Sequence, residues 1–184
     1  MILQILMVAS MVSAKNTDAY SNSYEFKNLN EQYYGVVNDS VMGGRSVSQL
    51  RVGQDAAVFN GVVSLKNNGG FASVRMIWPF SDKVSGQFIK LKVLGDGKVY
   101  QLRLRTDRGF DGAAYAQSFK TVAGKTQTFT FSVSEFVPTY RGRVLRNMPE
   151  LNLRNVTQFG IMMTDKQVGD FELSLHKIKI VAEI

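Results

Sequence analysis

Residues 88–105 read FIKLKVLGDGKVYQLRLR. Ile89, Leu91 and Val93 alternate with Lys90 and Lys92, and beyond Gly95-Asp96-Gly97 the apolar Tyr100, Leu102 and Leu104 alternate with Gln101, Arg103 and Arg105. A period of two marks a half-buried β-strand. Asp-Gly is a favoured pair for a two-residue type I′ hairpin turn. A turn centred on Asp96-Gly97 sets Val93 opposite Tyr100, Leu91 opposite Leu102 and Ile89 opposite Leu104, with every apolar side chain inward. A three-residue loop would turn one strand's apolar set to solvent, so the two-residue register is expected.

The same alternation continues on both sides. Gly61 to Lys66, Phe71 to Trp78, Ala113 to Lys120, Thr126 to Val133, Val156 to Thr164 and Gly169 to Val181 read as strands, and Tyr33 to Val37, Ser46 to Val52 and Ala56 to Phe59 do so more weakly. No dozen residues carry the i, i+3, i+4, i+7 stripe of a helix. In Thr126 to Val133 the phenylalanines alternate with outward threonines. Phe159-Gly160-Ile161-Met162-Met163 is continuously apolar, as in a strand covered on both faces. Phe171, Leu173 and Leu175 lie on one phase and Ile178 and Ile180 on the other, so a bulge is expected at His176-Lys177. With 184 residues, 45% of them hydrophobic, and only 3 prolines, the chain holds one folded domain. Eight to eleven strands with glycine-rich connections make it an all-β, two-layer β-sandwich or jelly roll over residues 33–184. A Rossmann nucleotide site is disfavoured.

Cysteine is absent and His176 is the single histidine, which removes disulfides, thiol nucleophiles and multi-histidine metal sites. No G-x-S-x-G turn accompanies His176, so a serine triad has no sequence support. The expectation is a protein without catalytic residues, metal or cofactor. The net charge of +7 favours anionic partners, but no helical or RNP-like reading element points to nucleic acid.

Two candidate binding features remain. In the hairpin register Lys90 faces Arg103, and Lys92 and Arg105 share its outward face. With Arg108 in the following loop they form a basic strip, read either as a solvated face or as a dock for an acidic protein surface. The segment Asn38-Asp39-Ser40-Val41-Met42-Gly43-Gly44-Arg45-Ser46 is the second. Asn38 and Asp39 can form Asx turns and Gly43-Gly44 can take positive φ. The loop either satisfies its own backbone or presents N–H groups as an anion nest completed by Arg45 and Ser46. The aromatics Trp78, Phe80, Phe110 and Tyr140 sit at strand ends, as core lids or as platforms for a sugar.

Met1 to Ala14 form an uncharged apolar run ending in Val12-Ser13-Ala14. This fits an export signal with a small-residue cleavage site and is too short to span a bilayer. Export to a periplasmic or extracellular compartment is therefore expected, with residues 15–32 as an N-terminal extension. No later apolar run approaches 18 residues, so no membrane-spanning helix is expected in the body of the chain.

Four motifs follow one another in order: Val37 to Ser46, Asn67-Asn68-Gly69-Gly70-Phe71-Ala72-Ser73, Gly95-Asp96-Gly97-Lys98-Val99-Tyr100, and Gly169-Asp170-Phe171-Glu172-Leu173. With Phe59-Asn60-Gly61 and Arg141-Gly142-Arg143 they resemble the complex I intermediate-associated protein 30 family across Tyr33 to Ile180, the export signal suggesting a bacterial-type member. The resemblance implies a galactose-binding-like β-sandwich and a non-catalytic, protein-binding role in assembly or scaffolding. It supplies no catalytic residues. A carbohydrate-binding module is the alternative that the galactose-binding-like fold suggests.

Overall fold

The computed structural model describes residues 21–109 and 111–184. Their strands are β1 (Ser23–Glu25), β2 (Tyr34–Asn38), β3 (Val47–Val52), β4 (Ala57–Val63), β5 (Ala72–Ile77), β6 (Phe88–Leu94) and β7 (Val99–Arg105), followed by β8 (Ala114–Lys120), β9 (Thr126–Ser132), β10 (Val137–Tyr140), β11 (Arg143–Val144), β12 (Gln158–Met163) and β13 (Gly169–Val181). They form two antiparallel sheets. The first runs β3-β4-β13-β6-β9, with β1 also on β13; the second runs β11-β10-β8-β7-β12-β5-β2. Helical structure among the described residues is confined to short 3₁₀ turns. The all-β sandwich expected from the alternation is what the chain forms.

The expected hairpin is not there. β6 lies in the first sheet between β13 and β9, and β7 lies in the second between β12 and β8. Val93 faces Leu175 and Gln127, whereas Tyr100 faces Met163 and Phe119. The four residues 95–98 carry the chain from one layer to the other. Ile89, Leu91, Val93, Tyr100, Leu102 and Leu104 are nevertheless all fully buried. Alternation points each strand at the core, but both layers face the same core, so the pattern cannot separate an in-sheet neighbour from a strand in the opposite layer. The two-residue hairpin turn with both residues at positive φ is found instead at Arg141-Gly142 (φ 47° and 79°), joining β10 to β11, the geometry a type I′ turn requires.

Other sequence readings hold. The pairing of β13 with β6 shifts register between Leu175 and Lys177, and this bulge keeps Ile178 and Ile180 buried. β9 is an edge strand with Phe131 buried and Thr126, Thr128 and Thr130 exposed. β12 is central in the second sheet, as expected, but only its inner face meets the opposite layer. The domain boundary at residue 33 moves back, because β1 pairs with Lys177 to Lys179 of β13 and Phe26, fully buried, sets its ring 5.9 Å from Phe159. Three-residue strands are too short for alternation to reveal, which hid β1. The expected export segment, Met1 to Ala14, lies outside the described residues.

Candidate functional site

The Asn38–Ser46 loop is a nest, but its anion is internal. Asp39 is fully buried. Its carboxylate accepts hydrogen bonds from the Ser46 N–H (2.8 Å), the Ser46 hydroxyl, the Gly70 N–H (2.7 Å) and the Phe71 N–H (3.3 Å). Burial alone would push the Asp39 carboxyl up; the Ser46 hydroxyl and the three backbone donors outweigh it and hold the group below its ordinary value. The Gly43 and Gly44 N–H groups donate to Ser40 and Asp39 carbonyls. Arg45 is exposed, and Asn38 accepts from the Ser48 hydroxyl at 2.5 Å. The Gly43, Gly44 and Ser46 N–H groups are thus taken up by Asp39 and Ser40 of the same loop. Gly44 and Gly69 flank the carboxylate: a Cβ would stand 2.3 Å from Asp39 Oδ1 at the first and 2.6 Å from Oδ2 at the second.

Asp96 does the same for the other two motifs. Its Oδ1 accepts from the Lys98 N–H (3.0 Å), and its Oδ2 accepts from the Tyr100 hydroxyl and the Glu172 N–H (both 2.9 Å). Burial and the neighbouring carboxylate of Asp96 hold the Tyr100 hydroxyl far above the ordinary phenol range. The four motifs thus meet in pairs, each pair fastened by one aspartate across chain segments far apart in sequence.

The basic strip splits, as it must once its hairpin does not form. Lys90 and Lys92 lie on the outer face of the first sheet, where β13 sets Lys179 opposite Lys90 and Lys177 opposite Lys92. Glu25 of β1 reaches Lys177 Nζ at 2.9 Å. Arg103 and Arg105 lie on the outer face of the second sheet, on the other side of the molecule. Here the register brings in a residue that the sequence reading missed. Gly160 of β12 pairs with Arg103 on one side and Arg75 on the other. Arg75 belongs to the outward phase of Ala72 to Ile77, a signal visible in the sequence, but its neighbours depend on strand order. Arg108 stays on this side, where it joins Tyr33, Gly35, Arg75, Ile77 and Gln158 around an open depression of about 270 Å³.

The electrostatics identify the arginines as one group. Burial, with Arg75 and Arg103 beside it, pulls Arg105 down to about 10; Asp107 and Asp111 act in the opposite direction. Burial and Arg75 lower Arg103 as well. Arg103 donates to the neutral acceptors Gln101 Oε1 (2.9 Å) and Thr139 Oγ1 (3.2 Å), and Arg105 to the Gly112 carbonyl (2.7 Å). Arg141 pairs with Asp111 at the rim. Of the candidate aromatic platforms, Trp78 and Phe80 pack into the core, Tyr140 donates to Asp111, and Phe110 lies outside the described residues.

Residues 24–175 match the family model for Complex I intermediate-associated protein 30. The chain belongs to that family. Among relatives of this complex I intermediate-associated protein 30 chain, a Schizosaccharomyces pombe protein of uncharacterised role is 30% identical over 176 residues, covering 84% of this chain and 80% of that protein. A Caenorhabditis elegans protein named "Probable complex I intermediate-associated protein 30, mitochondrial" is 26% identical over 165 residues; the chain covers about half (48%) of its length. The mitochondrial name of that relative overturns the expectation of export. Among solved structures, the family 11 carbohydrate-binding module of Clostridium thermocellum, in complex with a β-1,3-1,4-mixed-linked tetrasaccharide, superposes with a TM-score of 0.62. The match covers 89% of this chain and 99% of that one at 12% identity, a likeness of fold.

Proposed function

We propose that this complex I intermediate-associated protein 30 family member is a non-enzymatic, protein-binding β-sandwich that serves in the assembly of respiratory complex I. The observation that carries this reading is the family match across residues 24–175. The name of the nematode relative supports both the role and the mitochondrion as the compartment. The site geometry is consistent with binding rather than turnover: His176 sits at the β13 bulge with Nε2 buried and without a hydrogen-bond partner, and the buried Asp39 is consumed by its own loop. A sandwich of this kind presents a broad sheet face to a partner, and the arginines of the second sheet give that face its charge.

Carbohydrate binding has the fold likeness in its favour. The face itself weighs against it. The outward strand positions around Arg75, Arg103 and Arg105 carry no aromatic residue, so the ring that this face offers a sugar is the exposed Tyr33 at the rim of the depression. The test is genetic and biochemical. Cells lacking the protein should accumulate incomplete complex I on native gels, and the tagged protein should co-purify with named complex I subunits. Normal complex I levels in its absence would refute the assembly role, and glycan-array binding without any protein partner would replace it with the carbohydrate reading.

A further inference from the structure

The outer face of the second sheet has an unusual cross-section. In register across six strands lie Gly35, Arg75, Gly160, Arg103, Ala116 and Val137. Two arginines stand in a row whose other central members are glycine or alanine. The next outward row holds Ile77, Gln158 and Arg105. Gly160 and Ala116 are buried beneath the face, and Ala114 beside them is fully so. A Cβ on Gly160 would stand 2.5 Å from the Val74 carbonyl oxygen, so the floor between the two arginines is kept bare by close packing of β12 against β5.

Strand spacing sets the scale. Neighbouring strands lie about 4.8 Å apart, so Arg75 and Arg103, two strands apart, have Cα atoms about 10 Å apart; Arg103 and Arg105 are about 7 Å apart along their strand. An extended peptide projects the side chains of one face, at positions i and i+2, about 7 Å apart, while position i+3 falls on the opposite face. Carboxylates two residues apart on such a peptide match the Arg103–Arg105 spacing along β7, with Arg75 about 10 Å to the side adding to the positive field, and the guanidinium fork is the group built to grip a carboxylate with two parallel hydrogen bonds.

Two further observations bear on what this face can bind. Crowded like charges disfavour one another; Asp107 and Asp111 offset this in part for Arg75 and Arg105, whereas the side-chain acceptors that Arg103 meets, Gln101 and Thr139, are neutral. Gln158 Oε1, in the same row as Arg105, is buried with no hydrogen-bond partner. A buried orphan in a native fold calls for an explanation, and an amide rotated by half a turn would aim its two N–H donors at the same place. The exposed Ile77 and Val137 flank the arginines with apolar surface, as a protein partner would use.

We propose that Arg75, Arg103 and Arg105, on the outer face of the second sheet, form a docking site for an extended acidic segment of a protein partner, Arg103 and Arg105 gripping carboxylates two residues apart on one face of that segment. This rests on the protein-binding reading above and names the surface and the chemistry that serve it. Arg108 widens the positive field at the rim, while Lys90 and Lys92, on the opposite sheet, take no part.

The test uses the full chain and a synthetic peptide, Ala-Glu-Ala-Glu-Ala-Glu-Ala, with its glutamine counterpart and a sulfated oligosaccharide as the other probes. Binding is followed through the arginine Nε–H resonances and by calorimetry at low salt. The glutamate peptide should bind and shift the Arg75, Arg103 and Arg105 signals, and the glutamine peptide should not. Arg103→Gln and Arg105→Gln should each weaken binding at least tenfold without lowering the melting temperature, because each removes a like charge. Lys92→Gln should change it less than twofold. Absence of glutamate-peptide binding, equal loss in Lys92→Gln, or tighter binding of the sulfated oligosaccharide would overturn the proposal. Recovery of complex I subunits by Arg103→Gln at the wild-type yield would also overturn this surface while leaving the assembly role standing. Peptide binding through the three arginines, in a protein whose loss leaves complex I intact, would support the site and refute the assembly role.

Discussion

Replacing Asp39 should destabilise the fold more than any change to the surface arginines. The carboxylate accepts from three backbone N–H groups and a hydroxyl while fully buried. In Asp39→Ala the Ser46 hydroxyl can turn to the Ser64 carbonyl, 3.4 Å away. The Ser46 and Gly70 N–H groups have no such recourse. Each buried donor left without a partner costs about 1–3 kcal/mol, so a loss of about 4 kcal/mol is expected, out of a total of roughly 5–15 for a domain. With a urea slope of about 2 kcal/mol per molar, the midpoint should fall by about 2 M. Asp39→Asn keeps one acceptor oxygen but faces donors with an amide, and should lose about 2 kcal/mol by the same reasoning. The pH dependence gives a second reading. The folded state holds the Asp39 carboxyl below its ordinary 3.8, so its charge stabilises fully above that value and the contribution is lost as pH falls through the folded value. The gap between wild type and Asp39→Asn should be constant from pH 7 to about 5 and shrink below pH 4. A loss under about 1 kcal/mol for Asp39→Ala, or a gap unchanged down to pH 2, would refute the account.

Gly69→Ala should cost about 1–3 kcal/mol by overpacking, since its Cβ would lie 2.6 Å from both Asp39 Oδ2 and the Ser64 carbonyl oxygen; urea melts measure it. Tyr100→Phe should cost about 1–2 kcal/mol by removing the bond to Asp96. Because the folded state raises Tyr100 above its ordinary 10.0, the wild-type advantage in denaturant melts should persist at neutral pH and shrink as pH rises above 10. Lys90→Glu should stabilise by roughly 0.2–1 kcal/mol, since it places an opposite charge against Lys179, read as a small rise in melting temperature. Backbone NOEs should connect Leu102 with Ile161 and Gln117 and none should connect Leu91 with Leu102; cross-strand contacts between the latter pair would restore the hairpin.

Leu102 shows how far alternation carries. Its burial was legible because every second residue of 99–105 is apolar, and a charge placed there would unfold either topology. Its partners were not legible, since Ile161 lies 59 positions onward and nothing local distinguishes it from Leu91. The same limit governed the binding face. Arg103 and Arg105 could be read as outward from their phase, but joining them to Arg75 rather than to Lys90 required the order of strands in each layer. The Asp39 loop was better served, because aspartate and glycine make local hydrogen bonds whatever the global fold; only its distant donors at Gly70 and Phe71 escaped. The bulge at His176 was readable because a change of phase within one continuous strand has few other solutions.

The place of β13 has a consequence for synthesis. It lies between β4 and β6 in the first sheet, yet it is the last strand of the described chain. β4 ends at Val63 and β13 begins at Gly169, so at about 5–20 residues per second β4 waits roughly 5–20 seconds on the ribosome for its partner. During that interval Phe59 and Val63 lack their in-sheet partners Leu173 and Gly169, and the nascent chain carries open strand edges of the kind that recruit other strands. The first sheet can complete its pairing only after β13 emerges, so until then the edges of β4 and β6 stay open to pairing with strands of other chains.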